Sequence, residues 1–274
     1  MADAARLRRT TPRWAPQLVD GWVLSGPMAD RLCTMDPTEV PPVVLDGFHA
    51  WKHATRFNAH ITAAYTDDEA GVHRLIQSLA PDLITAAQLP TVVDSDHLTA
   101  LCHHHGLSRP HHTRLIALAV KPANTAVDGD TRRGPVVLVD QPRSPGNLGA
   151  VIRVAAAADI AGVLTAGSID IWHRDVVRAA AGLHFALPVG NLAPHHHDLV
   201  HGPVVILDPG GEDLRTTTIL DNPLIVVGAE RSGVSEYWRS RADQHLALPM
   251  RAGVSSLNLA TSVSAILYHL VLSR

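Results

Sequence analysis

From Pro135 to the C-terminus, short unbroken apolar runs alternate with helical patterns, and no other property of the chain restricts its fold so strongly. Pro135 to Asp140 reads as a buried strand that ends in a turn, Pro142 to Gly146. A helix over Leu148 to Asp159, a strand over Gly162 to Thr165 and a helix over Arg174 to Gly182 follow. Strands over Val204 to Leu207 and Leu224 to Val227 come next, then an apolar helix over Leu259 to Leu272. Strands that are apolar on both faces need cover on both faces, and helices connecting parallel strands provide it. The pattern predicts an α/β domain with a mainly parallel sheet, whose ligands bind beyond the carboxyl ends of the strands. Three loops are thereby singled out: those after Asp140, after Val227 and after Leu248.

The preceding part of the chain divides by composition. Residues 1–42 are rich in Arg, Pro and turn formers, with Trp14 and Trp22 as anchors, and read as an extension that packs only in part. Residues 43–121 alternate again. Strands are expected at Val43 to Asp46, Ile61 to Tyr65, Thr91 to Val93 and Leu115 to Val120, and helices at Phe48 to Phe57, Asp67 to Leu79 and Ser95 to His104. This is a second, smaller α/β unit. The polar stretch 122–134 is its linker to the domain at 135–274.

Charge and cysteine content exclude several classes. The chain has 274 residues, a net charge of −3 and two cysteines, Cys33 and Cys102, in unrelated contexts, so a disulfide framework or thiolate zinc site is not expected. With no apolar run of membrane-spanning length, the reading is a soluble, cytoplasmic protein that makes no membrane contact. Basic residues are almost all Arg, and they cluster at Arg6, Arg8, Arg9 and Arg13, and again at Arg132 and Arg133. Either cluster suits RNA or plain solvation. The groups His103 to His105, His111 with His112, and His195 to His197 consist of adjacent residues, whose side chains diverge, so no metal site is expected. His111, His112, Arg109 and Arg114 precede the last strand of the small unit and are candidates to face RNA.

The three loops carry distinctive residues. The first reads Ser144-Pro145-Gly146-Asn147-Leu148-Gly149 with Arg153 beyond it, and the second Gly228-Ala229-Glu230-Arg231-Ser232-Gly233-Val234-Ser235. The third runs from Leu248 through Pro249, Met250, Gly253, Ser255, Ser256 and Leu257 to Asn258, where Ser255 or Ser256 is expected to cap the last helix. Neither a three-glycine dinucleotide fingerprint nor a phosphate loop ending in Gly-Lys-Ser or Gly-Lys-Thr is present. In this order the loops resemble the three motifs of the SpoU, or TrmH, family of RNA ribose 2′-O-methyltransferases, of the SPOUT superfamily. Asn147, Gly149 and Arg153 carry the first motif, Gly228, Glu230 and Gly233 the second, and Pro249, Met250, Ser256, Leu257 and Asn258 the third. Val177 to Gly182 also resembles a family element, with Ala180 in place of its small hydroxyl residue, and Ala252 stands where many relatives have Gly. Residues 43–121 are similar to the ribosomal-protein-like RNA-binding domain, an α/β/α unit, often fused ahead of this domain.

The resemblance implies a trefoil knot, a homodimer with the last helix at its interface, and S-adenosylmethionine as cofactor. It places Gly228, Glu230, Leu248, Met250, Ser256 and Leu257 near that cofactor, makes Arg153, Asn147, Glu230, Ser256 and Asn258 the catalytic set, and gives Arg109, Arg114 and Arg178 to RNA. An arginine stays protonated and is a poor base, so Arg153 is read as holding a phosphate or the developing oxyanion, and the base is left unassigned. The implied substrate is structured RNA, rRNA or tRNA, and one family branch methylates rRNA to confer antibiotic resistance. The alternative is a non-catalytic RNA-binding member of the same fold.

Overall fold

The computed structural model describes residues 41–84, 89–122, 134–192, 202–229 and 232–273. The N-terminal arginines, Trp14, Trp22, Cys33, the pair Arg132 and Arg133, the triplet His195 to His197, and Glu230 lie outside these residues.

The first unit comprises β1 (Val43–Asp46), α1 (Phe48–Arg56), β2 (Ile61–Thr66), α2 (Glu69–Leu79), β3 (Thr91–Val92), α3 (Ser95–His104) and β4 (Leu115–Ala119). The sheet order is β1-β4-β2-β3, with β4 antiparallel to both neighbours and β2 parallel to β3. Alternation along β4 decides the layering. Leu115, Ala117 and Ala119 join Phe48, Trp51, Val72 and Ile76 in one core, while Ile116 points the other way into Leu98 and Cys102 of α3. Helices therefore cover both faces of this sheet. Helix starts follow from side-chain acceptors: Asp68 Oδ1 accepts from Gly71 N at 2.8 Å, and Asp94 Oδ1 from His97 N at 2.8 Å.

The second unit contains β5 (Val136–Asp140), α4 (Pro145–Ala157), β6 (Gly162–Ala166), α5 (Arg174–Ala179) and β7 (Val189–Asn191), then β8 (Val204–Asp213) and β9 (Leu224–Gly228). It is completed by α6 (Glu236–Arg239), β10 (Gln244–Ala247) and α7 (Leu259–Leu272). Its six strands are ordered β10-β8-β9-β5-β6-β7, and every pairing is parallel. Val137, Val139, Ile225 and Val227 pack under α4 and α7 on one face. On the other, Val136, Leu138, Leu224 and Val226 meet Val234 and Trp238. Each such buried aliphatic side chain stabilises the fold by on the order of 1.5 to 3 kcal/mol relative to an exposed one.

Three local expectations change. Helix α4 begins at Pro145, where a turn was expected, because Ser144 Oγ accepts from Asn147 N at 3.3 Å and the fixed φ of proline suits the first helical position. The cap of α7 is neither Ser255 nor Ser256 but Asn258, whose Oδ1 accepts from Ala260 N at 2.9 Å. Strand β8 runs on to Asp213 rather than stopping at Leu207, since Glu212 and Asp213 pair with Leu246 and Ala247 of β10.

The two units touch through α1 and the segment after α5. Gly182, at φ +74°, lies so near α1 that a Cβ there would be 2.5 Å from the Ala50 carbonyl oxygen. His53 Nδ1 is 2.8 Å from the Ala181 carbonyl oxygen and bonds to it as its donor tautomer. Next to this contact His184 is fully buried; it bonds to the Ile171 carbonyl through Nε2 at 2.8 Å, and its Nδ1 has no partner. Burial pushes its pKa from 6.5 down to about 4. The unfolded chain therefore takes up this proton first as pH falls. The stability that depends on neutral His184 is complete above about pH 6.5 and drops by about 3 kcal/mol on approaching pH 4. Urea unfolding at pH 7.5 and pH 4.5 is expected to show a smaller acid loss in His184→Gln than in the parent; equal losses would exclude His184 as the cause.

Candidate functional site

The parallel arrangement brings the loops after β5, β9 and β10 to one end of the sheet, and short-range interactions tie them together. Asp140, the buried last residue of β5, accepts a hydrogen bond at Oδ2 from Ser235 N at 2.7 Å, which fixes the loop after β9 to the neighbouring strand end. That loop doubles back so tightly that a Cβ on Gly228 would overlap the Gly233–Val234 peptide. Gly233 N donates to the Ala229 carbonyl at 2.9 Å to close the turn. Glycine at 228 is thus required by backbone clearance.

The first and third loops are bridged by side chains. Asn258 Nδ2 donates to Asn147 Oδ1 at 3.2 Å, while the Oδ1 of the same Asn258 caps α7. One asparagine thereby orients the start of α7 and the first turn of α4. Gly149 lies in the α4–α5 crossing, where a Cβ would come within 2.6 Å of the Val176 carbonyl oxygen, so it serves helix packing. Arg153, farther along α4, is exposed.

Beside these loops is a groove of about 430 Å³, lined by Leu248, Met250 and the backbone turn to Ser255 on one side and by Pro209, Gly211 and Asp213 of β8 on the other. That volume falls within the roughly 300 to 1,000 Å³ of small-molecule clefts. Of the residues expected near a cofactor, Leu248 and Met250 line the groove. Gly228, Ser256 and Leu257 do not, and Ser256 and Leu257 are exposed on the approach to α7. Pro209, Gly211, Asp213 and Asp140 were not singled out from sequence. For Asp140 a signal existed, an acid closing an apolar strand at the sheet end where ligands bind. A larger hollow of about 530 Å³ lies at the β8–β10 edge between Gly210 and His245; it shares Gly211 with the groove and carries none of the residues of the three loops.

The groove's lining suits a small molecule with an apolar part: Leu248 and Met250 offer apolar contact and the turn from Met250 to Ser255 backbone groups outside any helix or strand, while the Asp213 carboxylate is engaged by Arg215 at 2.6 Å. The arginine beside Asp213, Arg215, holds that carboxyl's pKa down to about 2, so it is ionised at neutral pH.

The expected RNA contacts differ in their surroundings. Arg114 is engaged by Asp67, with Nε 2.8 Å from Oδ1 and a second contact through Nη2. Arg178 is exposed and 3.4 Å from Asp175, and Arg109 is exposed. His111 Nδ1 accepts from the Thr113 hydroxyl at 2.8 Å, a local role within its loop. Among the described residues no group of three or more His, Cys, Asp or Glu is placed to hold a metal ion, and no helix is long and apolar enough to cross a membrane.

Comparison with known proteins adds an independent line. A family model described as the SpoU rRNA methylase family matches residues 134–268. The 23S rRNA (uridine(2479)-2′-O)-methyltransferase of Streptomyces viridochromogenes is 33% identical over 150 residues, 50% of this chain and 52% of that protein. The 23S rRNA (guanosine(2553)-2′-O)-methyltransferase RlmP of Bacillus subtilis is 32% identical over 141 residues, 49% of this chain and 57% of that one. The alignments thus span little more than half the length of these relatives. A crystal structure of the SpoU methyltransferase AviRb from Streptomyces viridochromogenes, in complex with the cofactor AdoMet, superposes with a TM-score of 0.67 at 25% identity. That match covers 90% of this chain and 96% of the other.

Replacing Asn258 by Ala removes both a helix cap and the bridge to Asn147, and is expected to destabilise the protein by about 1 kcal/mol. Chemical denaturation measures this, and an unchanged midpoint would show that neither bond contributes.

Proposed function

We propose that the chain, whose residues 134–268 match the model of the SpoU rRNA methylase family, belongs to that family and is an S-adenosylmethionine-dependent methyltransferase acting on a ribose 2′-hydroxyl of ribosomal RNA. The observation that carries the reading is the Asn147–Asn258 hydrogen bond, which joins the first and third motif loops beside a groove lined by Leu248, Met250 and the turn that follows. The two relatives described above are named methyltransferases of 23S rRNA, which favours rRNA over tRNA.

S-adenosylmethionine supplies a methyl group on a positively charged sulfur, open to in-line displacement by a ribose oxygen. The chain contributes alignment, and holding the reactants in register is worth roughly 7 to 11 kcal/mol of such a barrier. Leu248, Met250 and the backbone of the third loop would hold the cofactor, with Gly228 giving the second loop its close turn and Ser256 and Leu257 on the approach to α7. Asn147 and Asn258 orient the first and third loops. Arg153 holds an RNA phosphate or the oxyanion that develops as the hydroxyl proton leaves. Arg109 and Arg178 extend the RNA contact, with Arg114 braced by Asp67 behind them.

In this reading the first unit is the ribosomal-protein-like RNA-binding domain, and the chain ties a trefoil knot. The order β10-β8-β9 supports the knot, because the chain leaving β9 must cross β8 to reach the edge. A homodimer is proposed as well, supported by the exposed apolar residues Leu257, Tyr268, Val271 and Leu272 on and before α7. A cytoplasmic location is proposed with it.

Titration calorimetry with S-adenosylmethionine tests the cofactor assignment, and a folded protein that takes up none would end it. Arg153→Ala is expected to keep cofactor affinity while losing at least 10²-fold in methyl transfer to rRNA, the scale set by removal of one oxyanion donor. Undiminished transfer would remove Arg153 from the mechanism.

A further inference from the structure

Helix α1 belongs to the first unit, yet one of its faces is built for the second. His49, Lys52, His53 and Arg56 recur at the spacing with which an amphipathic helix normally presents its apolar stripe. Two of the four are committed. His53 bonds to the Ala181 carbonyl, and Arg56 grips Asp82 through Nε at 2.8 Å and Nη2 at 2.6 Å.

His49 and Lys52 make no hydrogen bond or ion pair among the described residues. Lys52 is only 9% exposed, a buried cation on α1. The charges acting on it are Arg56, Arg153 and Asp82, and Arg56 already occupies Asp82. His49 feels Lys52, Arg153 and His112, every one of them cationic or able to become so. Arg153, exposed on α4 and near enough to act electrostatically on both, makes no hydrogen bond or ion pair among the described residues. Burial and this mutual repulsion lower the pKa of both His49 and Lys52. Like charges gathered at a domain junction destabilise the free protein, and such clusters occur where an anion is to be bound.

We propose that His49 and Lys52 of the first unit form, with Arg153 of the second, a single clamp for a backbone phosphate of the RNA strand that carries the target ribose. This rests on the RNA methyltransferase reading and sharpens it. The ammonium of Lys52 acts as a point charge, the guanidinium of Arg153 as a planar fork, and the two approach the phosphate from different domains. The rigid contact at Gly182 and His53 holds the halves of the clamp in register. The first unit is thus a wall of the reaction site as well as a handle on RNA.

Lys52→Met keeps the covered stem and removes the charge. Filter binding of the full-length variant to a bacterial 23S rRNA transcript over a salt series should give a log–log slope shallower by about one than the parent. The KM for RNA should rise more than kcat falls, and S-adenosylmethionine affinity by calorimetry should stay at the parent value. His49→Glu, at an exposed position where folding is not at stake, should weaken RNA binding in the same assay, and Lys52→Arg should restore the slope. A folded Lys52→Met or His49→Glu protein with parental affinity and slope would overturn the clamp. Parent protein that binds the transcript but no S-adenosylmethionine would sink the methyltransferase reading and leave the clamp intact; parent protein that binds no RNA would overturn the clamp.

Discussion

The central strand β5 is buried along its whole length on both faces, and most of the architecture follows from that one constraint. A doubly covered strand needs parallel neighbours with helices between them, so α4 and α7 must lie on one side and the segment around Trp238 on the other. Parallel strands in turn send all their exits to one end. The motif loops meet there because the sheet leaves them nowhere else to go, and the chemistry is assembled from residues far apart in sequence.

At that end the protein relies on main-chain geometry more than on bulky side chains. Gly228 lets a loop turn back on itself, Asp140 accepts from a backbone N–H, and Asn258 divides its amide between a helix cap and Asn147. Such a site is set by clearances and hydrogen-bond directions, which change little with solvent or temperature. Charged groups then supply what geometry cannot, with Asp213 at the groove and the cations around Arg153 on the side proposed for RNA.

Much of this was legible in the sequence. Unbroken apolar runs such as Val136 to Val139 fixed the strands, and the spacing of Val72, Leu75, Ile76 and Leu79 fixed a helix, because burial leaves a periodic trace. Where the trace is absent the reading failed. Pro209, Gly210 and Gly211 look like a loop, yet β8 continues through them because β10 offers pairing partners, a tertiary effect that local composition does not encode. The cap of α7 differs for a related reason: serines and asparagine are alike as acceptors, and local composition does not say which of them stands next to Ala260 N and also meets Asn147. The cationic stripe on α1 was passed over because its meaning depends on Arg153, more than 90 residues downstream.

The contact of Gly182 with Ala50 has a wider implication. Main-chain atoms meet there without an intervening side chain, so the joint between the units has no adjustable shim. The span from any point on the first unit's surface to the groove becomes a fixed ruler laid along the substrate. A change in what the first unit touches would then come from its outer surface, since the length of the ruler is held by the backbone.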